Sequence, residues 1–331
     1  MHTISLHNNL VFYSEPGDTL IEAAGRANIV LPHSCRIGRC CSCKCKVLAG
    51  TCTSTIEELG LSEQEKADGW ILSCVRSATT DLVLDLEALG EFIMPPEKTL
   101  PCRINSLKRL APDVLKIVLR LPPSCDFSFF PGQCIQVIGQ DGARRSYSLA
   151  NSSAAEKLLE LHIRAVPGGA MSGYWFGKAK VNDLLRLKGP IGTFFLRDVT
   201  GLDLVFLATG TGIAPVKAML ESVAGLPEKS WPHSISVYWG GRTLDDLYLN
   251  LSSVGKKHVY VPVLSRPDCD WSGERGYVQH ALIASKPNLT KTVIYACGSD
   301  AMIREAQDAL VKAGLAKQRF FSDAFVCSGT D

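Results

Sequence analysis

The rhythm of apolar and polar positions changes twice along the chain. Ile4–Phe12 alternates as a half-buried strand does, and Thr19–Ala27 takes up the spacing of a helix face. Between residues 101 and 166 the apolar positions come in short runs: Pro101–Leu107, Val114–Leu121, Cys134–Ile138, Ser146–Ala150 and Leu158–Val166. Pro, Gly and Asn-Ser turns separate them, and strands this short and frequent predict an antiparallel barrel. From about residue 200 the runs become continuously apolar, in Asp203–Ala208, Ser234–Trp239, His258–Val263 and Lys291–Ala296, with helical segments between them, first Pro215–Ala224. Solid strands alternating with helices predict a doubly wound parallel sheet.

Pro95-Pro96 can neither continue a helix nor sit in a central strand, so the first boundary is expected there. The expected organisation is an α+β domain over residues 1–92, an antiparallel β-barrel over 99–198 and an α/β domain over 199–331. At 331 residues the chain is long enough for such cores. A net charge of +2 gives no reason to expect nucleic acid or an anionic membrane as partner. No apolar run approaches the ~18 residues that span a bilayer. The N-terminus has no secretory pattern, so a cytoplasmic protein is expected.

That compartment changes how the cysteines read. There are thirteen, an odd number, which favours metal ligation plus spare thiols over disulfides. Cys35, Cys40 and Cys43 are spaced C-x4-C-x2-C, and Cys74 follows within Ile71-Leu72-Ser73-Cys74-Val75. This is the plant-type spacing for a 2Fe–2S cluster held by four thiolates. Structural zinc usually takes two short C-x2-C-like knuckles, and Cys74 stands alone. Ferredoxins of this type usually read C-x-x-G-x-C-G-x-C. Here Gly38 is present, but Cys41 occupies the second glycine position, and Cys45 adds another thiol nearby.

Arg145-Ser146-Tyr147-Ser148-Leu149 follows a run bearing Phe130-Pro131-Gly132-Gln133. It places a phosphate-matching guanidinium, an aromatic platform and hydroxyl donors on one short strand. His162-Ile163-Arg164 ends the next strand, and Gly168-Gly169-Ala170-Met171-Ser172 opens a helical stretch at Gly173–Gly177. Gly210-Thr211-Gly212-Ile213-Ala214-Pro215 closes the first strand of the α/β region, where parallel sheets bind nucleotides. Tyr238-Trp239-Gly240-Gly241-Arg242 and Tyr295-Ala296-Cys297-Gly298-Ser299 end later strands.

Together these motifs resemble the ferredoxin–NADP reductase family, with a plant-type (β-grasp) ferredoxin domain fused ahead of it; the resemblance covers the whole chain. It implies FAD held by Arg145, Ser146, Tyr147, Ser148, His162, Ile163, Arg164, Gly169, Met171 and Ser172. In it Tyr147 packs on the isoalloxazine, Ser148 lies near its reactive nitrogen, and Met171 and Ser172 hold the pyrophosphate. Gly189-Pro190-Ile191-Gly192-Thr193-Phe194 matches the family's closing strand. It also implies a nicotinamide dinucleotide at Gly210, Thr211, Gly212, Gly240, Arg242, Cys297 and Gly298, with Thr211 and Cys297 beside the hydride-transfer site. Phe325, or Phe321, would cover the flavin face. NADH is favoured over NADPH: Arg242, Ser265 and Arg266 suit a 2′-phosphate, but Asp245 and Asp246 oppose one.

The implied reaction carries a hydride from NADH to FAD and single electrons through the cluster, past Arg36 and Arg39, to a partner protein. The implied protein is monomeric. Within the family, the terminal segment and the Cys297 context resemble CDP-6-deoxy-Δ3,4-glucoseen reductases, which serve a dehydratase in 3,6-dideoxysugar formation. Reductase components of aromatic-ring dioxygenases and multicomponent monooxygenases come next. An alternative from another class is a redox-sensing or zinc-binding protein on a degenerate reductase scaffold, with Cys41 marking a lost cluster.

Overall fold

Helix α1 (Leu20–Arg26) starts at a reciprocal capping box: Thr19 accepts from the Glu22 N–H, and Glu22 reaches back to the Thr19 N–H. It buries Leu20, Ile21, Ala23 and Ala24, the face that its spacing predicts. The computed structural model describes residues 1–90, 92–139 and 142–325 and divides into two units, Met1–Met94 and Pro95–Asp331.

In the first unit a five-stranded mixed sheet runs in the order Val11–Ser14, His2–Leu6, Leu82–Asp85, Lys44–Ala49, Trp70–Leu72. His2–Leu6 and Leu82–Asp85 pair in parallel, and the other pairs are antiparallel. Helix α1 and the sheet share one core built on Ile4, Phe12, Leu20, Leu72 and Leu84. Helix α2 (Glu63–Ala67) precedes Trp70–Leu72. Glu58 is 3% exposed. Its carboxylate accepts the Leu72 N–H at 2.7 Å and pairs with Arg76, so one buried charge fixes the segments on both sides of Cys74.

The second unit holds two sheets. Six antiparallel strands run in the order Arg144–Ser148, Cys134–Ile138, Leu184–Ile191, Lys98–Ala111, Val114–Arg120, Leu158–Arg164. A bridge from Leu149 to Leu161 joins the two ends and closes the barrel. Pro101, which the apolar pattern sets at the start of a strand, lies inside one. It pairs with Arg186 on one side, and pairing on the other side begins only at Arg103, so its missing N–H leaves no gap in the ladder. Helix α3 (Ala170–Gly173) runs into a π-helical turn, Tyr174–Lys178.

The other sheet is six-stranded and parallel, in the order Glu274–Arg275, Val259–Leu264, Ser234–Gly241, Asp203–Thr209, Thr292–Ser299, Phe320–Phe325. Helices α4 (Ile213–Ala224), α5 (Val278–Ala284) and α6 (Asp300–Lys312) connect its strands. Chain order reverses between Asp203–Thr209 and Thr292–Ser299, the switch point at which such sheets open a binding crevice. Among the described residues no helix is long and apolar enough to cross a membrane.

Glu58→Gln leaves Arg76 without its charge partner in a site that is largely closed to water. It should lower the stability of the first unit by about 3 kcal/mol, read as a drop in its thermal midpoint, with the unfolding of the second unit unchanged.

Candidate active site

The first unit brings the four cysteines together as two pairs. Cys35 hydrogen-bonds with Cys40, and Cys43 with Cys74. Backbone N–H groups of the tight Cys35–Cys43 turn point at sulfur: Cys35 Sγ receives Ile37 at 3.5 Å and Cys40 at 3.4 Å, and Cys40 Sγ receives Cys35 at 3.3 Å. The hydrogen bond from Cys40 holds the Cys35 thiol down to about 5. In the other pair, Cys43 donates to Cys74, which raises Cys43 and lowers Cys74. Among the described residues no three thiol, imidazole or carboxylate groups converge as ligands of one ion. Two thiolate pairs with N–H donors aimed at sulfur suit a two-iron centre with two thiolates per iron.

In the second unit a cavity of about 740 Å³ opens where the barrel meets the parallel sheet, in the upper part of the range for ligand pockets. Barrel residues Arg145, Ser146, Tyr147, Ser148, His162, Ile163 and Arg164 line it, as do Gly169, Met171 and Ser172. From the sheet come Gly210, Thr211, Gly240, Arg242, Gly298 and Phe325. Alternation along Arg144–Ser148 buries Ser148 and half-buries Arg145 and Tyr147. The Tyr147 hydroxyl accepts the Trp175 indole N–H at 3.0 Å from the π-helical turn, and burial pushes its ionisation up to about 12. Ser172 is already engaged, its hydroxyl accepting the Val166 N–H at 2.8 Å.

Two predicted residues do not line the cavity. Gly212 and Cys297 sit behind the turn, and Cys297 is fully buried in the sheet core, where desolvation raises its thiol well above the ordinary range. Phe321 is half-buried and stacks on Tyr295 at 5.0 Å against the edge of that core, off the cavity, while Phe325, four residues on, reaches the cavity. Asp246, taken from the sequence as a brake on a 2′-phosphate, is committed internally. Its carboxylate accepts Arg164 Nη2 at 2.8 Å and the Arg242 N–H at 2.8 Å. This pair fixes Arg164, a barrel residue, beside Gly210 of the sheet.

Other lining residues carry no motif. Tyr277 and Gln279 enter from the start of α5, and Met302 and Glu305 from α6. Gln279 is 1% exposed; its amide nitrogen donates to Glu305 at 3.0 Å, while its Oε1 is a buried acceptor without a donor. An unfilled acceptor in the wall of an aromatic and cationic cavity fits a ligand rich in hydroxyl and amide groups, as dinucleotides are. Beneath the barrel wall, Glu160 is ringed by His162, Lys116 and Lys217. Burial alone would raise its carboxyl, but these donors and the Lys217 charge hold it down to about 2.

Three families match in chain order: "2Fe-2S iron-sulfur cluster binding domain" over residues 7–79, "Oxidoreductase FAD-binding domain" over 101–196 and "Oxidoreductase NAD-binding domain" over 206–308. A CDP-6-deoxy-L-threo-D-glycero-4-hexulose-3-dehydrase reductase of Yersinia pestis is 39% identical, with 98% of each chain covered. A xylene/toluene monooxygenase electron transfer component of Pseudomonas putida is 32% identical over 98% of this chain and 93% of its own. Among solved structures, an Amycolatopsis cytochrome P450 reductase superposes with a TM-score of 0.78 at 28% identity, covering 99% of this chain and all of that one.

Tyr147→Phe would strand the buried Trp175 N–H, a loss of about 1–2 kcal/mol. FAD should bind roughly tenfold more weakly, measured by the rise of flavin fluorescence on dilution. Acid should also loosen this unit. Burial lowers His162 below its ordinary 6.5, so beneath that pH the unfolded chain takes up a proton that the folded chain refuses. Glu160, lowered from 4.5 to about 2, stabilises the fold above pH 4.5 and loses that contribution as pH falls toward 2. The thermal midpoint of the FAD-containing unit should therefore fall in two stages, and His162→Gln should abolish the upper one.

Proposed function

Because the chain belongs to the family of iron–sulfur flavoprotein reductases in which a 2Fe–2S domain precedes FAD- and NAD-binding domains, we propose that it supplies electrons from NADH to a CDP-6-deoxyhexulose dehydratase. The observation that carries the choice of partner is the 39% identity, end to end, with a reductase named for that dehydrase, against 32% for an oxygenase component.

When bound, NAD(H) supplies a hydride, the flavin accepts the pair and releases electrons singly, and the 2Fe–2S centre passes them on one at a time. The chain's own residues bind and orient. Tyr147 and Phe325 offer aromatic faces to the cavity, and Arg145 and Arg164 bring positive charge to it. Thr211 follows Gly210 at the carboxyl end of Asp203–Thr209, where the nicotinamide is assigned. Cys35, Cys40, Cys43 and Cys74 hold the cluster. With Cys297 outside the cavity wall, its part is to pack the sheet behind Gly212.

The preference for NADH rests on charge. A side cavity of about 270 Å³ is shared by Arg242 and Arg266 with Asp113, Asp245 and Asp246. Asp113 and Asp246 are engaged by Arg164, which leaves Asp245 as the carboxylate placed to repel a 2′-phosphate there.

Anaerobic reduction should therefore proceed with NADH at a kcat/KM on the order of tenfold above NADPH, and Asp245→Asn should narrow the gap. The decisive assay mixes the reduced protein with the dehydratase and its CDP-sugar, and in parallel with an aromatic-ring oxygenase and its substrate. Product from the sugar alone is expected. Turnover confined to the oxygenase would reassign the partner.

A further inference from the structure

Cys41 lies between two cluster ligands with φ of +58°, a left-handed conformation that costs a side-chain-bearing residue about 1 kcal/mol or more. Its thiol is held, donating to the Gly60 carbonyl at 2.9 Å. The residue it faces has no side chain. A Cβ at Gly60 would sit 2.7 Å from Cys41 Sγ and 2.6 Å from the Arg39 carbonyl oxygen. The Gly60 N–H donates in turn to the Gly38 carbonyl at 3.0 Å. Residues 57–60 are thus laced to the three-cysteine loop on both sides of Cys40.

The same segment reaches toward the fourth ligand. Glu58 accepts the Leu72 N–H, two residues before Cys74, and pairs with Arg76, two residues after it. We propose that residues 57–60 form a brace that sets the three-cysteine loop against Cys74, and that the Cys41 thiol is its pin on the loop side, a positioning residue and not a fifth ligand. The pin rests on the reading of the four cysteines as cluster ligands. It replaces the freedom of a glycine with a tether, and it keeps the N–H groups that point at Cys35 and Cys40 in place.

The test compares the holoprotein with Cys41→Ala and Cys41→Ser. Readouts are iron content, the electron paramagnetic resonance spectrum of the reduced cluster, its midpoint potential, and the rate of iron release to a chelator. Cys41→Ala removes the donor and should release iron about fivefold faster, with a shifted midpoint potential and four-thiolate spectra. Cys41→Ser restores a donor and should recover most of the lost rate. Reduction of the flavin by NADH reports that each variant is folded and should stay unchanged. Spectra of a serine-ligated cluster in Cys41→Ser would make Cys41 a ligand and overturn the pin. Equal release rates for wild type and Cys41→Ala, with two irons in each, would overturn the pin alone. A wild-type chain without iron would overturn the ligand reading beneath it.

Discussion

The reductase unit depends on how closely two strand ends can pass each other. A Cβ at Gly212 would lie 2.1 Å from the Cys297 carbonyl oxygen, and one at Gly298, where φ is +147°, would lie 2.1 Å from Thr209 Oγ1. Backbone therefore meets backbone at the switch point, and Thr209 can accept the Ser299 N–H at 3.2 Å. This near-contact closes the floor between Asp203–Thr209 and Thr292–Ser299 and turns Gly210, Thr211 and Ser299 toward one cavity. Any side chain at either glycine would wedge the floor open.

The barrel is joined to that floor by charge. Arg164 reaches from the end of Leu158–Arg164 to Asp246, and Lys217 of α4 reaches back to Glu160 and to the Ala150 carbonyl. Both junctions exclude most water, so each carboxylate is fixed by several donors and not by a single surface pair. The bond to Asp246 also occupies Arg164, so a guanidinium stands at the cavity wall with its orientation set and much of its charge offset. A site that orients dinucleotides needs directed donors more than it needs net positive charge.

What the sequence revealed follows from how local each signal is. The cysteine spacing and the Arg145–Ser148 strand are short-range patterns, and folding adds only the arrival of Cys74 and the curvature of the barrel. The burial of Cys297 could not be read from its motif, which runs along a strand. Gly298 and Ser299 reach the cavity edge, while the preceding side chain turns into the core of Phe206, Trp239 and Tyr295. Gln279 and Glu305 were invisible for the opposite reason: each is an ordinary polar residue on a helix, and only the packing of α5 against α6 brings them together. Asp246 lay in view as an acidic residue, but its bond to Arg164 could not be read, since it spans 82 residues of sequence.

The abundance of thiols in an electron carrier raises the question of what keeps most of them inert. Cysteine reacts as the thiolate, and burial without a donor suppresses that form. Cys45 and Cys102 are each 1% exposed, and desolvation pushes both up to about 12. Cys297 is raised well above the ordinary range, and Cys52 is raised by the same cause. Cys35 is the contrast, held down by Cys40 and the N–H groups of its loop. The fold thus sorts chemically identical side chains by surroundings, holding Cys35 ready to ionise and turning the others into small apolar fillers. Cys41 fits neither class, since its thiol is turned to the Gly60 carbonyl at 2.9 Å, with the Arg39 carbonyl a longer second acceptor at 3.8 Å. A thiol at that place in the loop is held by the backbone it faces, which is why the geometry of Gly60 matters as much as the identity of residue 41.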